Sequence, residues 1–101
     1  MELLRITRTT EAIHLEGEVD LAAVEPLGRA LEEAFGAGVT TIDVSEVSFI
    51  DSSGLQVLVS AARSLNGQGP LVLQRPSRSV SRLLDIVLPG GMPGIVIRTD
   101  P

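Results

Sequence analysis

The alternation of apolar and polar positions opens the chain with two short extended runs. Leu4 and Ile6 alternate with polar neighbours across Leu3 to Thr9, Ile13 and Leu15 do the same across Ala12 to Glu18, and Thr9-Thr10-Glu11 lies between them. This spacing predicts an N-terminal β-hairpin. The period then changes: Val24, Leu27, Leu31, Ala34 and Phe35 recur at helical spacing. Pro26 fits a helix only within the first turn, and Gly36-Ala37-Gly38 supplies a stop, so a helix is predicted from Ala23 or Val24 to Gly36. Val39 to Val44 is more continuously apolar and reads as an interior strand.

Leu55, Leu58, Val59, Ala62 and Leu65 predict a second helix from about Ser53 to Leu65. It ends at the turn-rich Asn66-Gly67-Gln68-Gly69-Pro70. Leu71-Val72-Leu73 reads as a brief buried strand. Gln74-Arg75-Pro76-Ser77 leads into a third helix with Val80, Leu83, Leu84 and Val87 on one face, and Ile95-Val96-Ile97 forms a last strand after the breaker-rich Leu88 to Gly94. The order predicts a single α/β domain over residues 1–101. Its sheet is mixed but mostly parallel, with four or five strands, three helices and right-handed crossovers.

Between the third strand and the second helix stands a polar cluster, Asp51-Ser52-Ser53-Gly54. Ser53 followed three residues later by Gln56 fits a capping box. In that arrangement Ser53 is the N-cap, its oxygen is occupied, and Ser52 lies one residue outside the helix with its hydroxyl free. Asp20 stands before the first helix in the same way and is read either as a cap or as part of a partner surface.

The chain has no cysteine, which excludes disulfides and thiol chemistry. All eight basic residues are arginines, and thirteen acids leave a formal charge of −5. With no Trp, no Tyr and two Phe, the chain offers neither a phosphate-seeking patch nor base-stacking platforms, so nucleic acid is not expected as a direct partner. Met1-Glu2-Leu3-Leu4-Arg5 lacks the basic and apolar regions of a leader, and no run approaches the roughly 18 apolar residues of a membrane span. A cytoplasmic protein with no membrane partner is the expectation.

Other candidate chemistry is thin. His14, the only histidine, should point away from Ile13 and Leu15. Arg75, Arg78 and Arg82 could hold a phosphate at a helix N-terminus or form a solvated helix start. A serine hydrolase using Ser52 or Ser53 with His14 lacks the Gly-x-Ser-x-Gly elbow. An oxygen-ligand metal site would need Asp43, Glu46 and Asp51 to converge across a loop, whereas solvated turn residues account for them more simply. There is no Lys and no Gly-rich phosphate loop. No metal, cofactor or catalytic residue is therefore expected.

Asp43-Val44-Ser45, then Val47 and Phe49-Ile50-Asp51-Ser52-Ser53-Gly54-Leu55, then Val57-Leu58, closely resembles the signature of the STAS domain family, specifically the bacterial anti-sigma factor antagonists. Gly17-Glu18-Val19-Asp20 and Ser77-Arg78-Ser79-Val80-Ser81-Arg82-Leu83-Leu84 resemble flanking elements of the same family. The resemblance implies that Ser52 is phosphorylated, that Asp51, Ser53 and Gly54 shape its loop, and that Asp20 lies nearby on the partner-binding surface. It implies as partners an anti-sigma factor, often itself the serine kinase, and a serine phosphatase. It also leaves open a docking role in a stressosome-type scaffold or a lipid transporter. Family members commonly carry a further C-terminal helix, whereas only Arg98-Thr99-Asp100-Pro101 follow Ile97 in this sequence.

Overall fold

The inward set of the second strand, Ile13, Leu15, Gly17 and Val19, follows a strict two-residue period, and each of these residues is buried. A computed structural model describes residues 3–100; the leader reading at Met1 and Glu2 and the tail residue Pro101 lie outside the described residues. In chain order the elements are β1 (Arg5–Arg8), β2 (Ile13–Val19), a single 3-10 turn (Leu21–Ala23), α1 (Val24–Gly36), β3 (Thr41–Ile50), α2 (Ser52–Ser64), β4 (Leu71–Gln74), α3 (Arg78–Val87) and β5 (Ile95–Arg98). The five strands lie in sequence order across one sheet. β1 and β2 are antiparallel and the remaining neighbours parallel. The expected hairpin, mostly parallel sheet and three helices are all present.

β3 is longer than its apolar pattern suggests. The expected strand covered Val39 to Val44 and was followed by a loop; the observed strand continues to Ile50. Two irregularities explain the difference. His14 and Glu16 of β2 face Asp43 and Glu46, and Gly17 and Glu18 face Val47 and Phe49, so β3 gains one residue at each step. Each bulge adds an unpaired residue and turns the strand. The buried positions consequently fall at Ile42, Val44, Val47 and Ile50, a spacing that matches neither strand nor helix period. Without the bulges, Val47 would face solvent.

Successive strands on the same side with right-handed crossovers place all three helices on one face. There Ile13, Leu15, Ile42, Val44, Leu71 and Leu73 meet Leu27 and Leu31 of α1, Leu55 and Leu58 of α2, and Val80 of α3. Each such fully buried large side chain contributes about 1.5–3 kcal/mol relative to exposure. α3 covers its end of the sheet less completely than its stripe predicted. Val80 is buried and Leu83 and Leu84 are partly so, but Val87 is 47% and Ile86 71% exposed. Ser77 N–H donates to the Val44 carbonyl (3.1 Å), and Ser79 Oγ donates to the Ser48 carbonyl (2.9 Å), fixing the start of α3 against β3.

The seat of α2 depends on Gly54. A Cβ at this position would lie 2.3 Å from the Val19 carbonyl oxygen and 2.7 Å from Val19 Cγ1. Only a residue without a side chain lets the first turn of α2 rest on the end of β2. Gly54→Ala is expected to destabilise the fold by about 1–3 kcal/mol, the usual cost of overpacking, measured as a lowered urea midpoint. An unchanged midpoint would show that α2 does not sit this close.

Candidate functional site

β2 and β3 run parallel and end together, with Val19 paired to Ile50. The next residue of each chain segment is an aspartate, and each aspartate caps the helix that follows. Asp20, in extended conformation, accepts from Ala22 N–H through Oδ1 (3.1 Å). Asp51, also extended, accepts from Gly54 N–H (3.0 Å) and from Ser53 Oγ (2.6 Å) through its own Oδ1. Asp51 N–H donates back to the Val19 carbonyl (3.3 Å). Two carboxylates on adjacent strands therefore stand side by side at the C-terminal edge of the sheet.

This geometry corrects the expected cap. Asp51, not Ser53, is the N-cap, and Ser52 is the first helical residue instead of lying outside the helix. A carboxylate is an ionised acceptor, and hydrogen bonds to ionised groups are roughly twice as strong as neutral ones. It therefore takes the orphan N–H that the serine was expected to satisfy. Ser53 keeps an occupied hydroxyl, but as donor to Asp51. Ser52 is exposed, and no protein group among the described residues engages its hydroxyl.

Of the other predicted site residues, Asp20, Asp51 and Ser53 are half-buried around the same edge, and Gly54 is buried beneath it. Gly54 thus supports the loop from below and offers no surface. Leu21 (74% exposed) and Phe49 (47%) flank the site; neither was singled out in the sequence. A large apolar residue one position beyond a capping aspartate was the available signal for Leu21.

His14 is remote from this edge. It pairs across the strands with Asp43, seven residues before Ile50, which is on the order of 20 Å along an extended chain. A hydrolase joining Ser52 or Ser53 to His14 is incompatible with that separation. The imidazole Nδ1 instead lies 3.5 Å from Asp43 Oδ2.

Asp43 is not the solvated turn residue that its local sequence suggests. It lies inside β3, 4% exposed, on the sheet face opposite Ile42 and Val44. Its Oδ1 accepts from Ser45 N–H (2.9 Å) and Ser45 Oγ (2.7 Å), and its Oδ2 pairs with the Arg75 guanidinium. Arg75 reaches it from a left-handed backbone conformation, φ +51. It is therefore committed to Asp43 and does not join Arg78 and Arg82 as a phosphate cradle.

Burial pushes the Asp43 carboxyl up, but the Ser45 hydroxyl, the Ser45 N–H and Arg75 together outweigh it and hold the group below the ordinary carboxylate range. The Asp51 carboxyl is also held low, first by the Ser53 hydroxyl and then by the Gly54 N–H.

Comparison with known proteins decides the family. A family model described as "Mlab, STAS domain" matches residues 3–89. The chain belongs to the STAS family. It is 35% identical over 86 residues to the anti-sigma F factor antagonist of Lysinibacillus sphaericus, covering 81% of this chain and 74% of the relative. It is 37% identical over 68 residues to the intermembrane phospholipid transport system binding protein MlaB of Escherichia coli (strain K12), covering 67% and 69%. Among solved structures, the anti-sigma factor antagonist SpoIIAA in its unphosphorylated form superposes with a TM-score of 0.65 at 27% identity, covering 100% of this chain and 90% of that one. SpoIIAA of Bacillus in its phosphorylated form gives 0.63 at 28% identity, covering 97% and 93%. The relatives thus include both an anti-sigma factor antagonist and a binding protein of a phospholipid transport system.

A carboxyl that binds its proton less readily in the folded than in the unfolded chain confers stability above its unfolded pKa, near 4, and that stability is lost as pH falls through the lower folded value. Asp43 and Asp51 of this STAS domain both have that sign. Asp51→Ala is expected to lower the unfolding free energy at pH 7 by about 0.5–2 kcal/mol, the usual worth of an N-cap. It should also make the loss of stability below about pH 4 shallower. Urea titrations across pH measure both, and an acid limb identical to that of the wild type would show that Asp51 is not the cap.

Proposed function

We propose that this STAS domain is an anti-sigma factor antagonist switched by phosphorylation of Ser52. The observation that carries the reading is the contrast between adjacent hydroxyls: Ser53 is bound to Asp51, while Ser52 is exposed and unengaged at the first position of α2. A kinase needs a hydroxyl it can enclose without first breaking a hydrogen bond. Unphosphorylated, the domain binds an anti-sigma factor and so frees a sigma factor; phosphorylated, it no longer does. Asp20, Asp51, Ser52 and Ser53 form the contact surface, with Gly54 beneath them.

The electrostatics favour an effect at the interface over one on the fold. Phosphate adds about −1.5 to −2 charge at pH 7. The N-terminus of α2 favours it by about 0.3–1 kcal/mol, whereas Asp51 beside it and Asp20 on the neighbouring strand oppose it. Within the domain these effects largely offset. A partner that closes over the serine must instead desolvate a bulky dianion beside two carboxylates, and misplaced charges at contacts cost several kcal/mol. Since about 1.4 kcal/mol changes affinity tenfold, that suffices for a switch.

ATP and the catalytic groups belong to the kinase, often the anti-sigma factor itself, and a serine phosphatase resets the domain. No enzymatic activity, cofactor or metal is assigned to this chain. Among the described residues no helix is long and apolar enough to cross a membrane, and a cytoplasmic setting fits the proposed partners.

A second reading keeps the fold and makes the domain a docking module of a stressosome-type scaffold or a phospholipid-transport complex without phospho-switching. The MlaB relatives and the matching family model favour it.

Intact mass and peptide mapping, after incubation of wild type and Ser52→Ala with ATP and soluble extract of the source cells, separate the two. One phosphoryl group on the wild type and none on Ser52→Ala is the expected result. A wild type left unmodified while other proteins are phosphorylated would favour the docking module, and phosphate retained on Ser52→Ala would move the site.

A further inference from the structure

α1 and α2 lie side by side on the sheet without closing the space between them. An open groove of about 520 Å³ remains, walled largely by apolar groups such as Val24, Phe35 and Val57. Its width comes from small residues: Gly28 on α1 and Ser60 on α2 face it. A Cβ built at Gly28 meets nothing within 4 Å. One end of the groove is lined by Leu21 and Ser53, which are the neighbours of Asp20 and Ser52. The groove is thus continuous with the phosphoacceptor edge.

We infer that this groove seats an amphipathic helix of the same partner that covers Ser52, with an apolar stripe inward and a basic flank along α1. This inference rests on the proposed switch at Ser52. Each wall is a 13-residue helix, roughly 20 Å long. That length accommodates two to three turns of a docked helix with anchors at i, i+3 or i+4, and i+7.

Charge selects among possible occupants. Glu32 is the charged residue that lines the groove, Glu25 lies in the first turn of α1, and Asp20 and Asp51 stand at the Ser52 end. A second copy of the chain, itself at −5, would set these acids against their equivalents. A fatty acid would direct a carboxylate toward the same acids. A basic-flanked helix is the occupant whose charge complements the rim.

The arrangement also explains how one phosphate could dislodge a large contact. A helix seated between α1 and α2 ends against the Ser52 turn, so a dianion there would have to be desolvated with Asp20 and Asp51 at once.

The test uses the protein that wild-type domain retains from source-cell extract and Ser52→Asp does not, identified by mass spectrometry and purified. Its affinity is measured by calorimetry for wild type, Gly28→Ala, Gly28→Phe and Ser52→Asp, with thermal unfolding run on each variant. Gly28→Ala leaves most of the groove open and should bind within about twofold of wild type, whereas Gly28→Phe fills it and should weaken binding at least about tenfold, a change of about 1.4 kcal/mol. Both should remain folded, because the added groups enter open space.

Photo-crosslinking from p-benzoylphenylalanine in place of Gln56, which is exposed where it lines the groove, should label a partner helix with an apolar stripe and flanking Lys or Arg. Full affinity in Gly28→Phe, or a crosslink to a non-helical segment or to a second copy of the chain, overturns the groove assignment while leaving the Ser52 switch standing. If no protein distinguishes wild type from Ser52→Asp, the switch fails and the groove assignment fails with it.

Discussion

The carboxylate of Asp51 holds the C-terminal edge of the sheet together. Through one oxygen it caps α2 at Gly54 and restrains the Ser53 hydroxyl, while its own N–H is tied to the end of β2 at Val19. The helix start, the neighbouring strand and the choice between two adjacent serines therefore depend on one side chain. Gly54 makes the geometry possible, since any Cβ there would collide with the Val19 carbonyl. Asp20 repeats the device one strand away. The edge is acidic because both strands hand over to helices through a capping aspartate, and acids favour helix N-termini.

A second charged centre lies on the opposite face of the sheet, and its role is structural. Asp43 is buried, and both of its oxygens are satisfied by Ser45, Arg75 and the nearby His14. Arg75 arrives just after β4, so the pair ties the centre of the sheet to the connection leading into α3. Breaking such a pair from one side leaves an uncompensated buried charge. This explains how a charged residue persists in the middle of an interior strand. It also separates two placements of acid in the molecule: Asp43 is paired within the fold, whereas Asp20 and Asp51 stand half-buried at the edge of the sheet and cap helix starts.

Much of the architecture was legible because local rules and tertiary packing agree. The hairpin, the three helices and their stops at Gly36-Ala37-Gly38 and Asn66-Gly67 follow from period and breakers alone, and the resemblance to STAS domains pointed to the family that the comparisons show. The failures have identifiable causes. Two bulges in β3 shift Val47 and Ile50 to three-residue spacing, which erases the strand signature that the remaining pairing restores. The capping box was a sound local motif defeated by a stronger acceptor two residues earlier. Asp43 was misjudged because its partner lies 32 residues away and reaches it from a backbone conformation that an arginine rarely adopts. No local pattern encodes that meeting.

These causes bear on how a small domain would host the proposed switch. The bulges in β3 keep Val47 and Ile50 inward and let the strand end level with β2, so that Asp20 and Asp51 emerge on adjacent strands. The caps then fix two helix starts side by side, and small residues on the facing helices leave the groove that opens at Ser53. A serine at the first position of α2 thus sits where a fixed acidic edge, an exposed leucine and an apolar groove meet. On the proposed reading, phosphate added there would refold nothing, because a surface already fixed by its caps would turn one local charge into a mismatch across the contact. Rigidity, supplied by Asp51 and Gly54, is what would make Ser52 an effective switch position.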